Sequence, residues 1–328
     1  MADYVFFATG DVHLSNELPH AKPLSNGLTD RFVQQMDMMN RIIEIAGDKE
    51  IYIVGDLYDK AKLDPITLVE SLRIMQSGGR WRILPGNHDA NSLTGGRFNV
   101  EMFAHLNSER FQLLDGSFDV SETWRMHAVP FASIEDNASA IAKIQAELPK
   151  NRHNILLLHQ AILGCKVDGA FLCDSHGLKA SEITKGFDRV IAGHFHSHQM
   201  FGRTDRESGD QRGMYMGAPM QHRYSDESED RGIWKFTLRD DGTFDKEFIN
   251  LHMPQFWTIA PNGKRPEKAR AGDYIRVSAR MTDAEWSSAS VNVHDTVADL
   301  AKDGFVASAK HVPEYQHDAR MTIDASLL

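Results

Sequence analysis

The amino-acid sequence predicts an α/β domain of layered sheets and helices, followed by a small C-terminal segment. Over about the first 250 residues, short apolar runs alternate with helical patterns, and the runs end at Gly or a polar residue. The length of 328 residues also favours a main domain with an appendage, because single hydrophobic cores stop growing at about this size.

Five apolar runs predict strands with polar carboxyl ends. They span residues 4–11, 50–56, 81–87, 154–160 and 188–194. Three later runs, "GMYMGAP", "GIWKFTL" and "FDKEFINL", also predict strands. The "DDG" turn between the last two indicates that the second half of the domain is richer in antiparallel pairing.

Two helices are predicted between the first strands. Phe32, Met36 and Ile43 recur at helical spacing within residues 29–46. The stretch "DPITLVESLRIM" opens with an Asp cap and a Pro in the first turn, which is the usual beginning of a helix.

Prolines mark the predicted end of the main domain. Pro254, Pro261 and Pro266 interrupt any regular pattern, so we place one domain at residues 1–253 and a C-terminal segment at residues 254–328. This segment shows one strand pattern, "DYIRVSA", and one helical stretch, "DTVADLAKDG". It is too short to predict an independent fold.

Composition limits the class of protein. The hydrophobic fraction of 41% and the charged fraction of 25% are typical of a globular chain. No run approaches the roughly 18 apolar residues of a membrane span, and the N-terminus lacks a signal peptide's basic start, so we expect a cytoplasmic protein without a membrane partner. The net charge of −10 argues against a surface that is entirely a nucleic-acid footprint, although a local field can still bind phosphate.

Potential metal ligands stand at the ends of all five first strands, and this is the main functional observation. In open α/β sheets, ligands bind beyond the carboxyl ends of the strands, so these side chains can converge on one crevice. Asp-x-His and His-x-His pairs can place both side chains on the same side of a sheet, because residues two apart share a face. The candidates are Asp11, His13, Asp56, Asn87, His159, His194 and His196.

The chemistry of these side chains predicts a two-metal hydrolase. Carboxylate and amide oxygens mixed with imidazoles suit Mn, Fe, Zn or Ni better than Ca, with Mg as a further alternative. Seven ligands exceed the needs of one ion, whereas two ions about 3.5 to 4 Å apart that share a bridging carboxylate would use them all. Such a pair clamps a phosphate and activates a water, so the expected reaction is hydrolysis of a phosphate ester.

The stretch "LPGNHDA" contains a further candidate. Pro and Gly explain a turn after the third strand, but His is not a favoured turn residue. A chemical role for His88 is therefore worth considering.

Taken in order, the motifs resemble those of the calcineurin-like metallophosphoesterase superfamily. The matching motifs are Asp-x-His (11–13), Gly-Asp-x-x-Asp (55–59), Gly-Asn-His-Asp (86–89), the lone His159 and Gly-His-x-His (193–196). The resemblance covers roughly residues 4–250 and implies a four-layer αββα sandwich, here with a small C-terminal capping segment.

The resemblance also implies roles for individual residues. It places Asp11, His13, Asp56 and His196 at one metal ion, and Asp56, Asn87, His159 and His194 at the other, with Asp56 as the bridge. His88 would point at the scissile phosphate, where an imidazole can stabilise charge or protonate the leaving oxygen. Asp89 could accept a hydrogen bond from that imidazole and orient it.

Two stretches are similar to SbcD-type DNA repair and recombination nucleases, including their compact phage versions. "GDLYDKAKLDP" precedes "GNHD", and "YMGAPMQHRYSDESEDRGIWKF" follows the Gly-His-x-His motif. This similarity implies Mn-dependent exonuclease or endonuclease activity on DNA, a homodimer, and a coiled-coil ABC ATPase of the SbcC type as partner. Some relatives carry His where Asp59 stands, which leaves the role of position 59 open.

The C-terminal segment adds little to the evidence for DNA. It is shorter than the usual capping domain of these nucleases. The run "NGKRPEKARAGDYIR" is a candidate phosphate-contacting edge, although such runs are more often solvated faces.

Two other classes of function use the same residues. A phosphomonoesterase or cyclic-nucleotide phosphodiesterase would act on a small substrate without the ATPase partner. A non-enzymatic scaffold should have lost ligands, and this sequence retains all of them. By itself His159 would more often be an ordinary core or turn histidine, but six other candidates favour a ligand.

The two cysteines indicate no further chemistry. Cys165 and Cys173 are too few for a disulfide framework, and we expect reduced thiols. Together with His176 they would still lack a fourth zinc ligand.

Overall fold

The computed structural model describes residues 3–92, 94–106, 109–167, 171–204, 209–227 and 229–313. Its internal contacts divide the chain into two compact units, Met1–Met253 and Pro254–Leu328. The end of the predicted C-terminal segment, residues 314–328, lies outside the described residues.

The described residues form fifteen strands and five α-helices. The strands are β1 (Tyr4–Thr9), β2 (Glu50–Val54), β3 (Arg80–Leu84), β4 (Phe111–Leu113), β5 (Gly116–Asp119), β6 (Trp124–Val129), β7 (His153–His159), β8 (Arg189–Gly193), β9 (Gln199–Thr204), β10 (Gln211–Tyr215), β11 (Gly232–Leu238), β12 (Phe244–Asn250), β13 (Phe256–Ile259), β14 (Tyr274–Met281) and β15 (Val306–Pro313). The helices are α1 (Asp30–Ala46), α2 (Pro65–Ser77), α3 (Ile134–Ala146), α4 (Ala180–Ile183) and α5 (Asp283–Lys302).

Two six-stranded mixed sheets form the first unit. The first sheet has the order β12-β11-β1-β2-β3-β4, in which β1 to β4 are parallel and β11 and β12 form an antiparallel edge. The second has the order β5-β6-β7-β8-β10-β9, with four parallel strands between two antiparallel edge strands. The five strands predicted to end in ligands are β1, β2, β3, β7 and β8, all of them in the parallel parts.

Three apolar clusters separate four layers of structure. The first packs α1 and α2 against one face of the first sheet and includes Met39 and Met75. The second lies between the sheets, where Phe6 of β1 and Trp124 of β6 are buried together. The third packs α3 and α4 on the second sheet and includes Ile141. This order of helices, sheet, sheet and helices confirms the predicted αββα sandwich.

The two predicted helices begin where their capping residues indicate. The hydroxyl of Thr29 accepts a hydrogen bond from Phe32 N at the start of α1. The carboxylate of Asp64 accepts bonds from Ile66 N and Thr67 N at the start of α2, whose first residue is Pro65. No helix in the described parts of the chain combines the length and the apolar character that crossing a bilayer requires.

The C-terminal unit contains more regular structure than the sequence predicted. Its three strands form a parallel sheet of order β13-β14-β15, and α5 packs on this sheet through residues such as Val293 and Leu300. The prediction placed one strand and a helical stretch at 295–304, whereas α5 begins at Asp283. The first turns of α5 are rich in Ser, which hides the apolar period, although the capping box of Thr282 and Glu285 marks the true start.

Candidate metal centre

The seven predicted ligands lie together at the carboxyl ends of the parallel strands. Asp11 and His13 follow β1, Asp56 follows β2, and Asn87 follows β3 in the first sheet. His159 is the last residue of β7, and His194 and His196 follow β8 in the second sheet. Because the two sheets are stacked with these strand ends on the same side, the side chains meet in one cluster.

The first group of predicted ligands consists of Asp11, His13 and His196. Their ligand atoms all lie within 4.8 Å of one another. The Nε2 atoms of His13 and His196 are 3.2 Å apart, so the two imidazoles face the same small volume. Asp11 is fully buried and also accepts a hydrogen bond of 3.0 Å from His194 N, which connects this group to the second one.

The second group converges on the side-chain oxygen of Asn87. Asn87 Oδ1 lies 2.9 Å from His159 Nε2 and 2.8 Å from His194 Nδ1. The other ring nitrogen of His159 donates to the carbonyl of Val54 at 2.9 Å, which fixes the ring with Nε2 facing the group. One amide oxygen and two imidazole nitrogens are thereby directed at one point.

Asp56 lies between the two groups. Its Oδ2 atom is 3.2 Å from His159 Nε2 and 3.7 Å from His13 Nε2. Its Oδ1 atom accepts a hydrogen bond of 2.8 Å from His88 N, which fixes the carboxylate. This is the position that a ligand shared by two ions has to occupy.

Four of the seven residues adopt a backbone conformation that side chains rarely take. The φ angles of Asp11, His13, Asp56 and His194 are 53°, 50°, 53° and 113°. Main-chain hydrogen bonds hold two of these turns, from Asp11 N to Gly55 O at 3.1 Å and from His13 N to Asp56 O at 3.0 Å. Strained backbone of this kind persists where the surrounding structure fixes it, as it does at functional sites.

Two glycines make room for the ligands. A Cβ atom on Gly55 would lie 1.8 Å from His159 Nδ1, and one on Gly86 would lie 2.2 Å from Asp56 N and Oδ1. The glycines of the Gly-Asp and Gly-Asn-His-Asp motifs are therefore required by close packing against the ligand side chains.

Burial and neighbouring charge shift the pKa values of the centre. Burial lowers the pKa of His159, but the charge and hydrogen bond of the Asp56 carboxylate, together with the charge of Asp11 and the Val54 carbonyl, raise it overall to about 9. Burial raises the pKa of Asp56, yet the charge and hydrogen bond of His159 lower it overall. Burial, assisted by the charge of His159, lowers the pKa of His194 to about 3, so His194 keeps a free electron pair at neutral pH.

The donor set fits divalent metal ions. Carboxylate and amide oxygens and imidazole nitrogens converge without a cysteine, and the buried carboxylates attract positive charge. Among the described residues, every group able to hold an ion belongs to this cluster. Cys165 and Cys173 are free thiols, and the Cys173 thiol lies 3.4 Å from the carbonyl of His176.

His88 stands at the exposed edge of the centre, and its partner differs from the predicted one. The ring Nδ1 lies 2.7 Å from the main-chain carbonyl of Asp59. The carboxylate of Asp89 is instead fully buried and accepts bonds from Gly86 N at 2.9 Å and Tyr58 N at 3.1 Å. The prediction that Asp89 orients the His88 imidazole is therefore wrong, because Asp89 folds back to cap its own turn.

Asp59, whose role the sequence left open, contacts both sides of the centre. Its carboxylate lies 3.5 Å from His13 Nδ1, and its carbonyl is the partner of His88. Burial raises the pKa of Asp59, but the interaction with His13 lowers it overall, so the carboxylate is ionised. Asp59 therefore backs a ligand imidazole with negative charge.

A cleft of about 170 Å³ opens onto the ligands. Its walls are formed by predicted ligand side chains together with His88 and three residues to which the motifs assign no role. These three are Val167, Phe195 and Arg223, of which Arg223 is exposed.

Residues of the loop 221–231 form a buried support that the sequence did not reveal. His222 is 5% exposed, and its ring lies 5.2 Å from that of His13 and 5.3 Å from that of His196. Asp226 and Arg231, which are 2% and 5% exposed, contact His196. Exposed residues such as Arg223 and Ser225 alternate with these buried ones, so the sequence pattern does not mark His222, Asp226 and Arg231 as buried.

A stacked pair of mixed sheets with carboxylate, amide and imidazole groups at the ends of parallel strands defines a metal-dependent hydrolase. Residues 4–198, more than half of the chain, match the model of the calcineurin-like phosphoesterase family. The chain belongs to this family.

Solved structures that resemble this chain include two phosphoesterases. A purple acid phosphatase from yellow lupin (Lupinus luteus) seeds is 14% identical with a TM-score of 0.48, over 75% of this chain and 52% of that one. The calcineurin-like phosphoesterase YfkN from Bacillus subtilis is 14% identical with a TM-score of 0.40, over 75% of this chain and 89% of that one. The match thus spans about half the length of the lupin enzyme. A comparison with curated protein sequences finds no match.

Proposed function

We propose that this chain is a two-metal phosphodiesterase that hydrolyses DNA, as the nuclease subunit of a recombination or repair complex of the SbcD type. The observation that carries the hydrolytic part is the convergence of all seven ligands, with Asp56 between two groups, beneath a cleft at which His88 is exposed. The DNA part is supported by the similarity of the segment 215–236 to these nucleases and by the position of Arg223 in that segment, at the wall of the cleft.

In this mechanism the residues of the centre have different roles in metal binding and proton transfer. Asp11, His13 and His196 hold one ion, Asn87, His159 and His194 hold the other, and Asp56 serves both. When bound, the ions supply Lewis-acid stabilisation of the phosphoryl oxygens and an activated water. The hydrogen bond from Nδ1 to Asp59 O orients the imidazole of His88, whose Nε2 delivers a proton to the leaving oxygen.

Metal identity, partners and location belong to the same proposal. Manganese is the expected ion, because mixed oxygen and imidazole ligands suit it and the similar nucleases use it. A homodimer, a coiled-coil ABC ATPase of the SbcC type and a cytoplasmic location follow from the same similarity. In this proposal the C-terminal unit acts as a small cap that contacts DNA or the partner.

The first experiment is a nuclease assay on the purified full chain. End-labelled linear double-stranded DNA and bis-p-nitrophenyl phosphate are incubated with the protein and Mn²⁺, with His88→Ala as the matched inactive control. Degradation of DNA by the wild-type chain that disappears in the variant supports the proposal.

Two other outcomes separate the phosphodiesterase part of the proposal from the DNA nuclease part. Hydrolysis of the small diester alone, unchanged after addition of the candidate ATPase partner, would retain a phosphodiesterase and reject the DNA nuclease in favour of a small-substrate enzyme. Absence of metal-dependent hydrolysis on either substrate would reject both parts.

A further inference from the structure

The loop 221–231 packs beneath one end of the metal centre and is anchored on both sides. It follows β10 and a turn at Gly217, and it leads into β11. Arg31 of helix α1, which is fully buried, donates a hydrogen bond of 2.7 Å to the carbonyl of Gln221. The Nε2–H group of His222 donates to the carbonyl of Asp11 at 3.0 Å. The loop is thus tied to a helix and to a ligand residue.

The main chain of His196 is fixed by the same region. Its carbonyl accepts hydrogen bonds from Ala218 N at 2.9 Å and from the guanidinium of Arg231. The second Nη atom of Arg231 donates to the carbonyl of Asp226 at 3.2 Å. One buried guanidinium therefore joins the backbone of a ligand residue to the backbone of Asp226.

The carboxylate of Asp226 lies against the imidazole of His196. Asp226 Oδ2 accepts a hydrogen bond of 2.8 Å from His222 N, and Oδ1 lies 3.5 Å from His196 Nδ1. That nitrogen is buried and has no closer hydrogen-bond partner among the described residues. The other ring nitrogen of His196 faces His13 in the first ligand group. The carboxylate is therefore behind the ring, on the side opposite the ligand nitrogen.

We propose that Asp226, held in place by Arg231 and His222 N, is a positioning residue that orients the imidazole of His196 for metal binding. A carboxylate behind a ligand imidazole fixes the ring and its tautomer and makes the ligand nitrogen more basic. Asp59 stands in the same relation to His13, also at 3.5 Å from Nδ1. The first ligand group thus has two imidazoles, each backed by its own carboxylate. The inference rests on the metal-binding part of the proposed function.

The test measures metal binding rather than turnover. Mn²⁺ is titrated into the metal-free full-length chain by calorimetry and by electron paramagnetic resonance of the free ion, and Co²⁺ absorption reports the ligand geometry. Asp226→Ala should bind one ion as the wild type does and the other about 10- to 100-fold more weakly. Asp226→Asn retains an oxygen that can accept from His196 but loses the charge, so it should regain part of the lost affinity and still bind one ion several-fold more weakly than the wild type.

Asp188→Ala is the matched control. The carboxylate of Asp188 likewise accepts a main-chain hydrogen bond, from Asn154 N at 2.7 Å, but it precedes β8 at the end opposite to His194 and His196. This variant should lower the thermal unfolding temperature without changing either Mn²⁺ affinity or the Co²⁺ spectrum.

The outcome of the titrations either supports or overturns the positioning role of Asp226. Two ions bound with wild-type affinity and an unchanged Co²⁺ spectrum in Asp226→Ala would overturn the inference. If Asp226→Ala does not fold, Asp226→Asn replaces it and should show a several-fold weakening confined to one ion, with cooperative unfolding retained; curves identical to wild type would overturn the inference. A wild-type chain that binds no ion would instead refute the proposed function itself.

Discussion

The Nδ1 atom of His88 lies 2.7 Å from the main-chain carbonyl oxygen of Asp59. A carbonyl only accepts hydrogen bonds, so this contact places a proton on Nδ1 and leaves Nε2 as the nitrogen that exchanges protons with a substrate. The imidazole of His88, which is the general acid of the proposed reaction, is therefore oriented by a main-chain carbonyl group. A substitution of the Asp59 side chain keeps this carbonyl group in the chain.

Substitution of His88 separates proton delivery from metal binding. His88→Ala should lower kcat by about 10²- to 10⁴-fold, because a positioned general acid contributes that much, while the metal content stays at two ions per chain. Elemental analysis and steady-state kinetics on bis-p-nitrophenyl phosphate check both parts. His88 also lies within 4.8 Å of ligand atoms of His13 and Asp56, so loss of an ion in this variant would show that His88 is a ligand.

Substitution of the shared carboxylate should affect both metal positions. Asp56→Asn is expected to reduce the occupancy of both ions, because Asp56 Oδ2 lies near His159 of one group and His13 of the other. Asn87→Ala provides the contrast, since Asn87 Oδ1 contacts His159 and His194 of one group and the variant should cost one ion. Elemental analysis after dialysis measures the metal content. Full occupancy in Asp56→Asn would refute the bridging role.

Removal of the cleft arginine should weaken binding of DNA more than hydrolysis of a small diester. Arg223→Ala should raise KM for DNA and reduce the slope of log affinity against log salt by about 0.9, which corresponds to one phosphate contact. The control is Arg73→Ala, which removes a 72% exposed arginine on α2. Equal salt slopes for the wild type and Arg223→Ala would place the DNA elsewhere.

A methyl group at position 86 should disturb the centre by crowding. Gly86→Ala puts a Cβ atom 2.2 Å from Asp56 N and Oδ1, so we expect a loss of about 1 to 3 kcal/mol in the free energy of unfolding, together with weaker metal binding. Gly116→Ala is the control, because a Cβ atom there meets no described atom within 4 Å and adds only a left-handed backbone cost of about 1 kcal/mol. Urea unfolding of both variants measures the difference. A Gly86→Ala protein as stable as wild type would contradict the packing argument.

A partly buried carboxylate far from the motifs gives a pH-dependent contribution to stability. Glu50 is 15% exposed on its side chain and accepts hydrogen bonds from Tyr4 and Arg82. Burial raises the pKa of Glu50, but the hydrogen bond from Tyr4 and the charge of Arg82 lower it overall. Its stabilisation is therefore complete above the unfolded pKa of about 4.3 and is lost as the pH falls through the lower folded value.

Glu50→Gln should accordingly lower the free energy of unfolding by about 1 to 2 kcal/mol at pH 7, and this difference should shrink below about pH 4. The exposed pair of Lys235 and Glu247 supplies the control Glu247→Gln, for which less than about 0.5 kcal/mol is expected. Denaturant unfolding at a series of pH values measures both. A difference that grows as the solution is acidified would show that the sign is wrong.

The strand ends were predictable because the signals there are local. An apolar run followed by Gly and a polar residue marks the exit of a buried strand, and Asp11, Asp56 and His159 stand where such runs stop. Helix α2 was equally predictable, since a capping Asp64 followed by Pro65 is typical of the start of a helix. These features depend on neighbours in sequence, and the structure bears out the elements that they predict.

Long-range features could not be predicted in the same way. Asp89 follows His88 directly, yet its carboxylate turns back toward Gly86 and Tyr58, because unpaired N–H groups of two turns lie there. Asp226 meets His196 only because the chain that leaves β10 for β11 passes close to the turn that follows β8. Asp89 is next to His88 in the sequence but does not contact its ring. Asp226 contacts His196 although the two are far apart in the sequence.

The left-handed backbone at Asp11, His13, Asp56 and His194 restricts which residues each position accepts, independently of metal chemistry. Asp, Asn, His and Gly tolerate positive φ, whereas β-branched residues do so only at high cost. A lineage that ceased to need the ions would therefore be expected to drift toward Asn or Gly at these positions before Val or Ile. The residues found at these positions would then still reflect the former metal site. The backbone conformation favours the same few residue types, such as Asp and His, that the metal chemistry requires.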